Sequence, residues 1–137
     1  TLAAFEAIIH LYLDENQAVA EIPTLKMLFM KPQEIQKRAN TIMRQLKKNG
    51  AARFAEICVL KDTSQSGGGA LSEIPFETYV VSVRPHIMSV AALETALRGQ
   101  NPPIIARIKE NALLLDARTI PDKYLRQVVY GVFAALQ

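Results

Sequence analysis

The sequence predicts a two-layer α/β sandwich, a small and largely antiparallel sheet packed against helices. Three observations carry this. Apolar residues recur at helical spacing over residues 2–13, 32–49 and 121–136. Two pairs of strand-like segments, 53–60 with 76–84 and 104–109 with 112–117, lie between the helical stretches. The order helices, strand, strand, helix, strand, strand, helix interleaves those pairs with helices, the pattern of one sheet under a helical layer. At 137 residues the chain, residues 1–137, is long enough for one domain with a core of its own.

Each element has a local reason. Leu2, Phe5, Ile8, Ile9, Tyr12 and Leu13 mark an amphipathic helix over 2–13. A short helical piece over 15–21 ends before Pro23, after which Thr24 is placed to cap a turn or two through Leu25–Phe29. Pro32 suits a first helical turn, and Ile35, Ala39, Ile42, Met43 and Leu46 make one apolar stripe along 32–49. Gly50 closes that helix, with Lys47 and Lys48 at its negative end. Pro85 keeps Arg84 extended. Ser89 caps a helix bearing Val90, Leu93 and Leu97 and stopped by Gly99. Asn101-Pro102-Pro103 is a rigid connector, and the strands 104–109 and 112–117 meet in a tight turn around Glu110-Asn111. Leu113-Leu114-Leu115 is apolar on both faces, which predicts a strand buried on both sides. Pro121 opens the last helix.

Half of the residues are hydrophobic, 21% are charged and the net charge is +3, a globular composition that permits an acidic partner without requiring one. The single cysteine, Cys58, sits in the apolar run Ile57-Cys58-Val59-Leu60 and reads as a buried, inert thiol. One cysteine builds no disulfide framework, which suits a reducing cytosol. No apolar run approaches a membrane span, and the first residues lack the pattern of a signal peptide. The chain opens without Met on the helical pattern Thr1-Leu2-Ala3-Ala4-Phe5, as expected of a piece of something longer.

Catalytic constellations are thin. His10 and His86 have no Cys, His or carboxylate at metal-ligand spacing, so no metal site is expected. No phosphate-cradling glycine motif, nucleophile–base pair or carboxylate pair can be argued from spacing. Lys37, Arg38, Arg44, Lys47 and Lys48 gather on one helix, where a solvated outer face explains them better than nucleic-acid contact, since no aromatic residues interleave with them. Two features stand out. Three of the six glycines fall in Ser64-Gln65-Ser66-Gly67-Gly68-Gly69-Ala70-Leu71, and a glycine run costs backbone entropy that fits either a flexible loop between two strands or a loop shaped to approach a ligand or a partner domain. Arg107 breaks the apolar run Ile104-Ile105-Ala106-Arg107-Ile108. It needs a partner: either Asp116 or a nearby carboxylate across the sheet, or an anion in a cleft.

Taken together, Thr1-Leu2-Ala3-Ala4-Phe5-Glu6-Ala7, Glu21-Ile22-Pro23-Thr24-Leu25-Lys26-Met27-Leu28, the glycine loop, Pro102-Pro103-Ile104-Ile105-Ala106-Arg107-Ile108 and Leu114-Leu115-Asp116-Ala117-Arg118-Thr119 resemble the bacterial selenocysteine synthases. The likeness runs in order over essentially the whole chain. It departs at Ala106, where glycine is expected, and at Ala117, where leucine is usual.

The resemblance implies the C-terminal small domain of a fold-type-I enzyme dependent on pyridoxal 5'-phosphate (PLP), with residues 1–31 a helical lead-in from the large domain. The implied parent is a cytoplasmic bacterial homo-oligomer that converts seryl-tRNA(Sec) to selenocysteinyl-tRNA(Sec) with selenophosphate. The lysine that holds PLP is expected upstream, so the fragment alone is expected to hold no cofactor, contain no catalytic residue and be inactive. By the same resemblance Arg107 is the substrate-side arginine. Because the substrate carboxylate is esterified, it would meet the ester, a tRNA phosphate or selenophosphate. Ser66, Gly67, Gly68 and Gly69 would face the domain interface. Two other readings stay open: a related PLP lyase acting on a small amino acid or sugar acid, and a non-catalytic α/β binding module.

Overall fold

The computed structural model describes residues 1–65 and 75–137, which form two compact units, Thr1–Lys31 and Pro32–Gln137. The first unit is three short helices: α1 (Leu2–Leu11), α2 (Glu15–Glu21) and α3 (Pro23–Phe29). α1 stops two residues before the end of its apolar pattern, and none of its residues is buried. The Asp14 carboxylate starts α2 by accepting the N–H groups of Asn16 and Gln17 at 2.9 and 3.1 Å. Thr24 does not cap α3. Pro23 already occupies the first turn behind Ile22, since its fixed φ and missing N–H suit a helix start without a side-chain cap.

The second unit carries the sheet. It runs through α4 (Pro32–Lys48), a 3-10 turn at Ala51–Arg53, β1 (Ala55–Gln65), β2 (Pro75–Pro85), α5 (Val90–Arg98), β3 (Arg107–Lys109), β4 (Ala112–Asp116), a 3-10 turn at Asp122–Tyr124 and α6 (Leu125–Ala135). The four strands lie in the order β1-β2-β4-β3, each pair antiparallel. α4 and α5 pack on the sheet and α6 packs on both helices, the predicted two layers. Side chains alternate along each strand, so Ile57, Val81, Val83, Leu113 and Leu115 meet Ile35, Ile42 and Leu46 of α4 and Leu93 and Leu97 of α5 in the main core. Val80, Ala112 and Leu114 form a smaller buried cluster on the other face. Leu113, Leu114 and Leu115 are all buried, as the apolar triplet predicts.

Element ends differ from the sequence reading for identifiable reasons. β1 begins at Ala55, because Gly50 at φ +90° ends α4 and leads into the 3-10 turn. It continues to Gln65, because β2 supplies a full-length partner, from Ala55 opposite Pro85 to Gln65 opposite Pro75, and Lys61 pairs with Glu77 at 3.0 Å. Residues 104–106 do not join the ladder: the Ile104 N–H donates to Leu97 O at the end of α5 instead. The β3–β4 turn falls at Glu110 and Asn111, both left-handed at φ 50° and 58°, the geometry of a tight two-residue hairpin. Ser89 caps α5 by accepting from the Ala92 N–H at 3.1 Å. Pro121 precedes a 3-10 turn before α6 starts at Leu125. Cys58 is half-buried rather than enclosed, because its face of the sheet is only partly covered.

Candidate functional site

The sheet face away from the helices gathers polar side chains where β1, β2 and β4 end near one another. Register places them there: Asp62 lies opposite Thr78, Asp116 opposite Val80, Arg107 opposite Leu114 and Lys109 opposite Ala112. The Asp116 carboxylate is the hub. It accepts from Ser64 Oγ at 2.5 Å, Thr78 Oγ1 at 2.7 Å and the Arg118 N–H at 3.0 Å. The last of these is an Asx-type turn that starts the chain's exit from β4. Thr119 continues the turn, donating from its N–H and its hydroxyl to Asp116 O. Arg118 is buried; its guanidinium donates to Glu77 O at 2.6 Å and lies 5.8 Å from the centre of the Phe76 ring.

Asp62 is the second carboxylate. Lys109 Nζ donates to it at 3.0 Å and Arg107 Nη2 at 3.2 Å, while Arg107 Nη2 also lies 3.6 Å from Asp116 Oδ2. Arg107 Nη1 reaches Thr63 O at 3.4 Å. Burial pushes the Asp62 carboxyl up, but hydrogen bonds from Lys109 and the Thr63 N–H, with the charges of Lys109 and Arg107, outweigh it and hold the group below its ordinary 3.8. Burial pushes the Arg118 guanidinium down, and Asp116 opposes that. Both carboxylates are 11% exposed, whereas the Arg107 and Lys109 side chains are 48% and 54% exposed. Three cations thus accompany two anions, with the ends of Arg107 and Lys109 outermost and Arg118 buried. Such a cluster can meet an additional anion.

The residues present do not fit a PLP site. All eight lysines, 26, 31, 37, 47, 48, 61, 109 and 123, are exposed, and a lysine that holds the cofactor needs an enclosing cleft. Among the described residues no three His, Cys, Asp or Glu side chains converge as metal ligands. Among the described residues no helix is long and apolar enough to cross a membrane.

A family model described as "SelA: L-seryl-tRNA selenium transferase" matches residues 1–121. The chain belongs to this family. It is 39% identical over 122 residues to an L-seryl-tRNA(Sec) selenium transferase of Geobacter sulfurreducens, a match covering 89% of the chain and 26% of the relative. The enzyme of that name from Desulfomicrobium baculatum is 37% identical over 136 residues, covering 99% of the chain and 29% of the relative. The one from Solidesulfovibrio magneticus is 39% identical over 139 residues, covering 100% and 29%. The chain therefore spans between a quarter and a third of the length of these selenium transferases.

Arg107, at the start of β3, reaches both Asp62 and Asp116, the cross-sheet carboxylate pairing that was one of its two expected partners. The loop residues Ser66, Gly67, Gly68 and Gly69 lie outside the described residues. His10 is exposed on α1, 3.9 Å from Glu6, and His86 is exposed after β2. The basic group on α4 divides: Arg38 turns inward to Ile120 O and, at 3.1 Å, Asp122, whereas Lys37, Arg44, Lys47 and Lys48 face outward. Sequence reasoning missed Asp62, Ser64, Thr78 and Arg118 as members of the polar cluster. Alternation was the available signal, since Asp62 and Ser64 continue the face of Leu60, but identifying the shared hub requires the β2–β4 register.

Proposed function

We propose that this chain is the C-terminal small domain of a PLP-dependent transferase that converts seryl-tRNA(Sec) to selenocysteinyl-tRNA(Sec) with selenophosphate. The observation that carries the reading is the family match over residues 1–121, nearly the whole chain. In this reading residues 1–31 lead in from a large domain, which supplies the cofactor lysine, and the parent works as a cytoplasmic homo-oligomer. If that large domain holds PLP, the cofactor would supply an electron sink there. This chain's own contribution is positioning.

Arg107 is the residue proposed to meet substrate. Its guanidinium is half exposed at the rim of a cluster in which cations outnumber carboxylates. Asp62 and Asp116 hold it from one side, leaving donors for an ester, phosphate or selenophosphate oxygen on the other. The glycine-rich segment that follows β1 is proposed to face the large domain. By itself the chain is proposed to be inactive.

The test uses the intact protein that carries this chain, supplied with seryl-tRNA(Sec), selenophosphate and PLP. Formation of selenocysteinyl-tRNA(Sec), abolished by deletion of residues 32–137, is expected. Turnover of a free amino acid or sugar acid with none of the charged tRNA would overturn the reading in favour of a lyase.

A further inference from the structure

We propose that the outward stripe of α4, continued by Arg126 and Tyr130 of α6, is a docking surface for the phosphate backbone of an RNA. The proposal rests on the reading above that the intact protein acts on a tRNA. It begins from charge distribution. α4 carries five basic residues and one carboxylate, Glu34, and α6 adds Arg126 and no carboxylate. That local excess is larger than the net charge of +3 on the whole chain, so the remaining residues are slightly acidic.

Lys37, Thr41, Arg44 and Lys48 recur at i, i+4, i+7 and i+11, which sets them in one line on the helix. The line is about 16 Å long at 1.5 Å per residue. Lys37, Arg44, Lys48 and Arg126 are exposed, and among the described residues none of them makes an ion pair. This contrasts with Arg38 one position away, which turns inward to Asp122, and with the strand cations Lys61, Arg107 and Lys109, each held by a carboxylate. Hydrogen bonds to Asn40 O and Thr41 Oγ1, both 3.3 Å, steady the Arg44 guanidinium along the helix.

A row of separated cations suits a polyanion better than a single small anion, which needs donors that converge. Two hollows flank the row. One of about 600 Å³ is lined by Lys37, Asn40, Thr41 and Arg44, and another of about 340 Å³ by Lys48, Arg126 and Tyr130 among others. Tyr130, 57% exposed, supplies the aromatic surface that α4 itself lacks. The tertiary fold brings it to the basic row from another helix. Cations with an adjacent exposed ring are the elements of backbone tracking with base or ribose contact.

The experiment uses the intact protein with Lys37→Gln, Arg44→Gln, Lys48→Gln and Arg126→Gln combined, beside a charge-conserving set with Lys37→Arg, Arg44→Lys, Lys48→Arg and Arg126→Lys. Dissociation constants for a tRNA transcript and for polyglutamate are measured across a salt series, with melting curves to confirm folding. Each lost phosphate contact removes roughly 0.7–0.9 from the salt slope. The neutral set should therefore lower the slope by about 3–4 and weaken tRNA binding at least tenfold, while the charge-conserving set retains both. An unchanged slope and affinity in the folded neutral set would overturn the proposal. Wild-type binding to polyglutamate as tight as to tRNA, lost equally in the neutral set, would overturn it in favour of an acidic protein partner. Conversion of seryl-tRNA(Sec) by the wild-type protein is read separately, so failure of the enzymatic reading leaves the salt slope to decide this surface on its own.

Discussion

Asp116 shows how one carboxylate sets the local chemistry: two hydroxyls and a backbone N–H converge on it, and Arg107 reaches it from the edge strand. If Arg107 only braces the sheet, Arg107→Lys in the intact protein should lower the melting temperature and leave specific activity nearly unchanged. If it meets an anion, lysine keeps the charge but loses the fork. Activity should then fall about ten- to a hundredfold, equivalent to roughly 1.5–3 kcal/mol, at an unchanged melting temperature. We expect the second outcome. Asp62 makes a pH prediction. Its folded carboxyl is held below 3.8, so its contribution to stability is complete above that value and is lost as the pH falls through the depressed folded value. The stability advantage of wild type over Asp62→Asn should be present at neutral pH and shrink below about pH 4. Denaturant unfolding at a series of pH values measures it, and an advantage that instead grew with acidity would reject the assignment. Arg107 was legible in sequence because a charge interrupts an apolar run. Its bond to Asp62 was not legible, because 45 positions separate the two and only strand register joins them.

At the scale of elements, reading was reliable wherever a backbone requirement coincided with a residue type. Gly50, Ser89 and the Glu110-Asn111 turn all fall where chemistry demanded them. It failed at the ends of strands, where a partner elsewhere in the chain decides. β1 is extended by β2, and residues 104–106 are drawn away by α5. Gly131 was not singled out, because α6 gives no local reason for a glycine. Its surroundings are tertiary: a Cβ there would make the ends of the Gln100 and Ile104 side chains shift, and Gln100 donates to Gly131 O at 2.8 Å, a bond that such a shift would disturb. Helix propensity alone would favour replacing it. Gly131→Val should instead destabilise the chain by roughly 1–3 kcal/mol through overpacking. A melting temperature equal to or above wild type would show that the connector yields without cost.

At the scale of the whole molecule, a run of exposed large apolar side chains lies on the first helical unit. Leu2, Phe5, Ile8, Ile9, Tyr12 and Leu13 are all exposed. A contiguous patch of that kind marks an interaction surface, and in the proposed parent the large domain would cover it. The 137-residue chain on its own should bind a hydrophobic dye or self-associate, and Phe5→Asp or Ile9→Asp should relieve both. A dye-silent monomer would count against that surface. The sheet has a further consequence. β4 pairs with β2 only from Val80 to Val83, and the Ala117 N–H adds Tyr79 O. Beyond this, among the described residues, 62–65 and 75–78 have only each other as strand partners. That part of the ribbon is a two-stranded arm, with Asp116 gripping Ser64 and Thr78 like a clasp. Breathing of the sheet should begin along the arm and meet resistance at the clasp. Amide deuterium uptake should be slow from Val80 to Val83 and faster over 75–78. Asp116→Ala should speed uptake over 62–65 and 75–78, with little change in α4.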